Sequence, residues 1–170
     1  MMYTIQKLSS RHIAFVDAVY AENIEILHGD PISLQEWADC LIDNVDPAEV
    51  NFVIFVGEEP GAWLKINGLN EEEIYISMLV VAKRYQRKGV GCYALQFAEQ
   101  YALKREKNAV KILTTKDNAA AISLYLAQGY EIEKSICYMT GDGALHDGYR
   151  FGKEINRGSG STAIKIQSLS

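Results

Sequence analysis

The chain has 170 residues, a length that suits one domain able to bury about two thirds of its unfolded surface without disulfide or metal staples. Its formal net charge of −5 disfavours a dedicated nucleic-acid binder. No basic start followed by an apolar run opens the chain, and no apolar stretch reaches membrane-spanning length. We therefore expect a cytoplasmic protein with neither nucleic-acid nor membrane partners.

The cysteines and histidines show no spacing typical of metal ligands. The three cysteines are odd in number and form no C-x-x-C pair, which favours a reducing, intracellular setting. The three histidines lie far apart along the chain and are expected to be surface or capping residues. We therefore predict no metal site. These residues are Cys40, Cys92 and Cys137, and His12, His28 and His146.

A short strand and two helices are predicted to begin the fold. Residues 3–8 alternate between apolar and polar side chains, as strands do. Ser10 can cap a helix that runs to about residue 26. Ser33 and Glu36 form a capping box, and apolar residues then recur at helical spacing.

Three strands are predicted to follow, with short turns between them. Because turns of a few residues join them, they should be antiparallel neighbours in one sheet. They cover residues 51–57, 62–67 and 73–81.

One parallel crossover is predicted in the second half of the chain. A helix over residues 89–104 separates the strand 73–81 from a strand over residues 110–115. Two strands of one sheet that are joined through a helix are parallel, so these two should form a parallel pair.

A helix and a hairpin are predicted to close the domain. The helix covers residues 118–128 and ends at Gly129, as many helices do. Strands over residues 131–139 and 149–155 then pair around a glycine-rich loop. The result is a mixed α/β domain over residues 1–155. Residues 156–170 are a C-terminal extension with a linker-like composition, either native or artificial.

The most informative stretch is the basic turn and glycine pair between the third central strand and the helix after it. A helix N-terminus offers unpaired N–H groups and the positive end of the helix dipole, so it binds anions. Gly89 and Gly91 have no Cβ, so a phosphate can approach the backbone closely. Arg84, Arg87 and Lys88 add positive charge beside those donors.

Two motifs resemble those of the GNAT superfamily of acyl-CoA-dependent N-acetyltransferases. The stretch Gln86 to Gly91, Q-R-K-G-V-G, resembles the family's Q/R-x-x-G-x-G/A signature, whose loop cradles the pyrophosphate of acetyl-CoA. The stretch Asn118 to Tyr130 resembles the family's N-x-x-A-x-x-x-Y-x-x-x-G-F/Y helix. The resemblance covers roughly Tyr3 to Ile155. It implies a mixed, mostly antiparallel central sheet whose parallel fourth and fifth strands splay apart to admit the cofactor, with flanking helices.

The resemblance implies that acetyl-CoA is the co-substrate, without a metal, and it gives roles to individual residues. Tyr125 would donate a proton to the departing thiolate. Asn118 would cap its helix and contact the pantetheine or phosphate arm of CoA. Free backbone groups on the fourth strand would pair with pantetheine. The residues expected to bind the cofactor are Leu79, Val80, Val81, Gln86, Arg87, Lys88, Gly89, Val90, Gly91, Cys92, Asn118 and Tyr125.

The general base is left open by the sequence. Family members often place a glutamate on the fourth or fifth strand, and the expected position on the fifth strand is Leu113. Tyr75 and Ser77 acting through water, or Glu22 or Glu25 on the first helices, are alternatives. The expected acceptor is a small-molecule or peptide amine, and the resemblance is compatible with a homodimer.

Two other functions compete with this interpretation. The stretch Gly89 to Ala94 also fits G-x-G-x-x-A, a fingerprint of NAD(P)-binding oxidoreductases. A basic segment separates it from its strand, and the ribose-binding acid expected about 20 residues later is absent, which disfavours that class. A catalytically silent acyl-CoA-binding or regulatory module is favoured by the missing glutamate and disfavoured by Tyr125. We therefore predict direct transfer of the acetyl group of acetyl-CoA to a primary amine in a ternary complex.

Overall fold

A seven-stranded mixed sheet forms the centre of the computed structural model, which describes residues 1–155. The strands are β1 (Tyr3–Lys7), β2 (Val50–Val56), β3 (Glu59–Asn67), β4 (Glu73–Val81), β5 (Ala109–Thr115), β6 (Glu131–Met139) and β7 (Leu145–Glu154). Their order across the sheet is β1-β2-β3-β4-β5-β7-β6. Only the β4–β5 pair of this described sheet is parallel. The predicted parallel crossover and the mixed α/β class are therefore confirmed.

The α-helices of the described part lie in the connections between strands. They are α1 (Ile13–Glu22), α2 (Ile24–Leu27), α3 (Leu34–Ala38), α4 (Val90–Lys104) and α5 (Ala119–Ala127). Short 3₁₀ turns cover Ser10–His12 and Lys83–Tyr85, and a π-helical turn covers Asp39–Asp43. Throughout residues 1–155, every helix is too short or too polar to cross a membrane.

Two apolar clusters cover opposite faces of the sheet, because successive side chains of a strand point to opposite faces. On β3, Ala62 and Leu64 belong to the cluster that contains α4. Trp63, between them, belongs to the cluster that contains α1 and α3. Its ring packs edge-on against Trp37 of α3, with 5.4 Å between the ring centroids. Burial of these large side chains fixes both helical layers onto the sheet.

The predicted capping box is confirmed at the start of α3. The Glu36 N–H donates to Ser33 Oγ at 3.1 Å, and the Ser33 N–H donates to the Glu36 carboxylate at 2.7 Å. These two bonds satisfy backbone donors that the first helical turn would otherwise leave unpaired.

The predicted first helix was wrong in two respects. It begins with the 3₁₀ turn after Ser9, so Ser10 is not its cap. It is also interrupted at Asn23, which separates α1 from α2. The Asn23 side chain donates to the Val19 carbonyl at 2.8 Å, and asparagine side chains that bond the local backbone compete with helix continuation.

Two strand starts were also predicted too late. β3 begins at Glu59 rather than at residue 62, and β7 begins at Leu145 rather than at residue 149. Gly148, taken as a loop glycine, lies within β7, where a Cβ would be 2.5 Å from the Thr114 carbonyl oxygen. The absence of a side chain at Gly148 therefore allows β5 and β7 to pack closely, and the residue is not part of a turn. The predicted extension, residues 156–170, lies outside the described residues, so the domain boundary remains a prediction.

Candidate active site

A β-bulge in β4 opens the centre of the sheet. Lys65 pairs with Met78 and Ile66 pairs with Ile76, so Ser77 is an extra residue without a partner on β3. The parallel pairing of β4 with β5 ends at Ile76. Both strands continue with their other neighbours, so they diverge beyond this point. Bulges bend a strand and increase its twist, which explains the divergence.

The divergent end of β4 directs backbone groups into the gap. The Ala82 N–H donates to the Gly61 carbonyl of the β3 side at 2.8 Å. Since backbone groups alternate in direction along a strand, those of Val80 also point to β3, and those of Leu79 and Val81 point into the gap. The expectation that all three residues offer free backbone groups was therefore wrong for Val80.

The Val81 carbonyl already has partners inside the protein. It accepts hydrogen bonds from Gln86 Nε2 at 3.0 Å and from Asn23 Nδ2 at 3.3 Å. The Gln86 amide also donates to Asn23 Oδ1 at 3.1 Å. This side-chain network joins the α1–α2 break, the end of β4 and the basic turn. Asn23 was missed by the sequence reasoning, because its position beside β4 depends on the helix break.

The basic turn presents a row of backbone donors at the start of α4. Arg87 and Gly89 have left-handed backbone conformations, with φ of 62° and 88°. Within the described chain, the backbone N–H groups of residues 87–92 make no hydrogen bond. Consecutive free N–H groups at a helix N-terminus form a concave site for an anion. The loop therefore offers a concave row of unpaired donors, and the binding of phosphate there stays a prediction.

Neighbouring side chains hold this loop in place. The Tyr3 hydroxyl on β1 donates to the Lys88 carbonyl, and the Tyr3 ring packs against Tyr93 of α4 with 5.3 Å between centroids. A Cβ on Gly91 would lie 2.8 Å from Leu124 Cδ2 on α5. Gly91 therefore allows α4 and α5 to approach each other, in addition to its expected role toward phosphate. Tyr3 carried no recognisable signal in the sequence.

The basic side chains of the turn differ in whether they already form an ion pair within the protein. Arg84 forms an exposed ion pair with Glu59 at 3.4 Å. Among the described residues, Arg87 and Lys88 have no ion-pair partner within 4.0 Å. Free cations beside unpaired N–H groups strengthen an anion site, so Arg87 and Lys88 are the better candidates for phosphate contacts.

The start of α5 and Tyr125 form the opposite wall. Asn118 Oδ1 accepts the Ala121 N–H at 3.2 Å, which confirms it as the helix cap. Tyr125 is 6% exposed and packs edge-on against Phe151, with 5.3 Å between centroids. Its hydroxyl makes no hydrogen bond with any part of residues 1–155 that the structure places. Burial raises the pKa of Tyr125 well above its usual value of 10.0, so the phenol stays protonated even in the alkaline range.

These elements enclose a cleft of 1060 Å³ between the α1–α2 segment, the end of β4 and the start of α5. Most predicted cofactor residues line it: Leu79, Val80, Val81, Gln86, Arg87, Gly89, Gly91, Cys92, Asn118 and Tyr125. Two predicted residues do not line it. The Val90 side chain is buried in the core, and the Lys88 ammonium lies 6.0 Å from the centroid of the Tyr85 ring. Burial raises the pKa of the Cys92 thiol, consistent with a packing residue.

The candidate residues for a general base differ in whether they line the cleft. Glu22 and Glu25 line the cleft, whereas Tyr75 and Ser77 do not. The Glu22 carboxylate accepts the Lys83 N–H at 2.8 Å. The Ser77 hydroxyl is directed to Asn67 on β3. The carboxylates of the α1–α2 segment are therefore the only two of these four groups that border the cleft.

The histidines are less scattered than their sequence positions indicate. His28 and His146 stack on each other, with 4.0 Å between ring centroids. They are brought together because the turn after β6 packs on the segment after α2, where the Asp142 N–H donates to the His28 carbonyl at 2.9 Å. The spacing of the histidines along the chain did not predict this contact, because it depends on tertiary structure alone.

Comparison with known proteins gives one family and a consistent fold. A family model described as Acetyltransferase (GNAT) family matches residues 15–130. An uncharacterised N-acetyltransferase of Bacillus subtilis (strain 168), YesJ, is 36% identical over 62 residues, which cover 36% of this chain and 34% of that protein. The aligned part thus spans about a third of that relative's length.

Solved structures resemble this chain over nearly its whole length. The ribosomal-protein-S18-alanine N-acetyltransferase of Escherichia coli has a TM-score of 0.70 at 22% identity, over 99% of both chains. A spermidine N-acetyltransferase chimera of Vibrio cholerae SpeG and hSSAT has a TM-score of 0.77 at 17% identity, over 89% of this chain and 95% of the other. RimL, a ribosomal L7/L12 α-N-protein acetyltransferase solved with coenzyme A, has a TM-score of 0.77 at 17% identity, over 92% and 96%. At these identities the likeness establishes the fold.

Proposed function

Because the chain belongs to the GNAT family of acetyltransferases, we propose that it transfers the acetyl group of acetyl-CoA to a primary amine by direct attack in a ternary complex. The observation that carries this proposal is the row of unpaired backbone N–H groups at residues 87–92, beside the gap between β4 and β5. A phosphate-bearing cofactor with an extended, amide-containing arm fits both features.

The pyrophosphate would bind at the start of α4. The unpaired N–H groups of residues 87–92 offer donors to its oxygens, and Gly89 and Gly91 let them approach. Arg87 and Lys88 supply charge from the rim, where solvent screens it. Backbone donors in a fixed concave loop are therefore expected to contribute more to binding than either cation.

The pantetheine arm would lie along the open edge of β4. Leu79 and Val81 direct their backbone groups into the gap, and an amide-containing arm can pair with them as an added strand does. The Val81 carbonyl must then exchange its bonds from Gln86 and Asn23 for one from the cofactor, or share them. Asn23 lies at the α1–α2 break. A change in its hydrogen bonds on cofactor binding would therefore alter the α1–α2 segment, whose Glu22 and Glu25 line the cleft.

Acetyl transfer places two demands on the chain's own groups. The amine nitrogen forms a bond to the acetyl carbon while the carbon–sulfur bond breaks, so the amine loses a proton and the thiolate gains one. The protonated Tyr125 hydroxyl, which lacks a partner among the described residues, can donate that proton at the cleft wall. Glu22 or Glu25 can accept the proton of the amine, directly or through water.

The acceptor is proposed to be a small-molecule or peptide amine. Two carboxylates, Glu22 and Glu25, border the cleft, and a cationic amine is attracted to such groups before it loses its proton. Two of the solved proteins with this fold are named as N-acetyltransferases of a ribosomal-protein alanine and of spermidine. Both types of amine belong in the first test of this chain.

The test combines binding and turnover. Titration calorimetry with acetyl-CoA should show binding, and chromatographic measurement of CoA release with a panel of polyamines, amino sugars, amino acids and peptides should identify an acceptor. Binding without turnover on any amine would favour the silent acyl-CoA-binding module. Absence of acetyl-CoA binding would refute the proposal altogether.

A further inference from the structure

A cluster of histidine and aspartate side chains lies outside the proposed catalytic groups, where three segments of the chain meet. His28 follows α2, Asp117 precedes α5, Asp142 lies in the turn between β6 and β7, and His146 is near the start of β7. Ligand atoms of His28, Asp142 and His146 all lie within 4.8 Å of one another. The family's reaction, as proposed above, uses none of them.

The carboxylates of the cluster are held with one oxygen toward a histidine. Asp142 Oδ1 accepts bonds from Thr140 Oγ1 at 2.6 Å and from the Ala144 N–H at 3.0 Å, while Oδ2 lies 3.1 Å from His146 Nε2. Asp117 Oδ1 accepts the Thr115 hydroxyl at 2.5 Å, while Oδ2 lies 2.8 Å from His28 Nε2. The Thr140 and Thr115 hydroxyls thus orient the two carboxylates, and hydrogen-bond partners of this kind are typical of the outer shell of metal sites.

The backbone around the cluster is also fixed. His28 has a left-handed conformation with φ of 51°, which is uncommon for a residue with a Cβ. Its carbonyl accepts the Asp142 N–H at 2.9 Å. Gly29 and Gly141 bring the two segments into close contact, since a Cβ on Gly141 would lie 3.3 Å from the Gly29 Cα. The two histidines are therefore presented from connected, closely packed backbone.

Although the spacing of the histidines along the sequence predicted no metal site, we propose that His28, Asp142 and His146 bind a divalent transition metal ion of the zinc class. Two imidazole nitrogens and a carboxylate oxygen are a donor set that zinc accepts, with water in the fourth position. Asp117 bonds Nε2 of His28, which leaves Nδ1 of that ring for the metal. The arrangement of carboxylate, histidine and metal then matches a common outer-shell pattern.

Some of the distances between ligand atoms in the cluster are longer than those around a bound zinc ion, so the side chains must move toward the metal. Donor atoms around a tetrahedral zinc are roughly 3.3 Å apart, since each bond is about 2.0 to 2.1 Å. The 3.1 Å between Asp142 Oδ2 and His146 Nε2 is already near that value. The ligand atoms of the three residues lie within 4.8 Å of one another. The His28 and His146 rings are stacked with 28° between their planes, so they must turn out of the stack for their in-plane lone pairs to meet one ion. Their side chains are 19% and 25% exposed, which leaves room for this rotation.

The metal would join the segments at one end of the cleft. Leu27 and Asn118 line the cleft on opposite walls, and each is the chain neighbour of a cluster residue, His28 or Asp117. A metal bound there would tie the end of α2 to the β6–β7 turn and stabilise the folded chain. This inference does not depend on acetyl transfer.

Zinc chloride, added to full-length protein first freed of metal by a chelator, is the probe. Calorimetry should show one zinc ion bound per chain, and zinc should raise the melting temperature. His28→Asn and His146→Asn should each abolish binding, and Thr140→Ala should weaken it by about 10- to 100-fold, as loss of an outer-shell partner does. Cobalt bound in place of zinc should give the visible absorption of a tetrahedral site.

Two matched controls make the result specific. Asp147→Asn changes a carboxylate of the same hairpin that lies outside the cluster, and it should leave zinc affinity unchanged. The variant in which all cysteines are serine should also bind zinc normally, since none of them belongs to the cluster. Failure of the parent protein to bind zinc at submillimolar concentration, or equal affinity in the His28 and His146 variants, would overturn the proposal.

Discussion

Replacing Tyr125 by Phe removes one hydroxyl from the wall of the cleft and leaves the aromatic ring in place. The ring contacts Phe151 and Tyr130 at centroid distances of 5.3 and 6.3 Å, and these contacts survive the change. The hydroxyl bonds to nothing in residues 1–155, so the free energy of unfolding should change by about 1 kcal/mol or less. Affinity for acetyl-CoA should be nearly unchanged for the same reason.

The chemical step should respond very differently. A positioned general acid contributes about 10² to 10⁴ in rate, so single-turnover transfer by Tyr125→Phe should slow at least about tenfold even where water partly substitutes. Single-turnover rates at saturating acetyl-CoA measure this step directly. Normal single-turnover chemistry in a folded Tyr125→Phe protein would remove this residue from the mechanism.

Tyr130→Phe is the matched control for this experiment. Tyr130 is also a buried tyrosine whose hydroxyl lacks a partner in the described chain, but it does not line the cleft. Its loss should leave turnover unchanged and raise the free energy of unfolding by up to about 1 to 3 kcal/mol, the cost of an unpaired buried polar group. Equal slowing of transfer in both variants would indicate that general packing, not proton donation, controls the rate.

Further expectations concern the phosphate loop, alkaline stability and the C-terminus. Gly89→Ala should lower acetyl-CoA affinity in calorimetry, because φ is 88° there and a side chain strains the loop; unchanged affinity would contradict the role of the loop. Arg87→Ala should weaken binding most at low salt, whereas Arg84→Ala, whose guanidinium is paired at 3.4 Å, should do so less; equal losses at all salt concentrations would contradict this. Burial raises the pKa of Tyr125 above 10.0, so above that pH the unfolded chain binds fewer protons than the folded one and the free energy of unfolding falls as pH rises; urea unfolding across the alkaline range should show a smaller fall in Tyr125→Phe. Removing residues 156–170 should leave the melting temperature and acetyl transfer unchanged, and a large loss of either would show that the segment packs on the domain.

Local sequence patterns predicted most of the secondary structure. The short turn before residues 73–81 and the helix between two apolar strands predicted β4 and its parallel pairing with β5. The Ser33–Glu36 capping box predicted the start of α3 correctly, because both of its bonds lie within one helical turn. The family motifs located most of the cleft, since they act through a contiguous loop and one helix.

Contacts between distant segments could not be predicted in the same way. Tyr3 reaches Lys88 across 85 positions of sequence, and Asn23 reaches Val81 across 58. The stack of His28 on His146 likewise joins the end of α2 to the start of β7, which only the folded chain brings together. A single sequence contains no local pattern for such pairs, because the side chains are ordinary for a strand, a helix end or a turn.

No local sequence pattern predicted the bulge at Ser77, although it changes both the side-chain orientation of β4 and its pairing with β5. An uninterrupted β4 would put Val80 on the same face as Ile74 and Ile76, since side chains alternate with a period of two. Val80 instead packs in the cluster with α1 and α3, and Leu79 packs against the α4 cluster. One extra residue thus exchanges the faces of β4, ends its pairing with β5 and exposes an edge beside the phosphate loop. A free strand edge presents unpaired N–H and C=O groups that can pair with another extended chain. We therefore expect the free edge of β4, in the middle of the sheet, to bind an extended ligand.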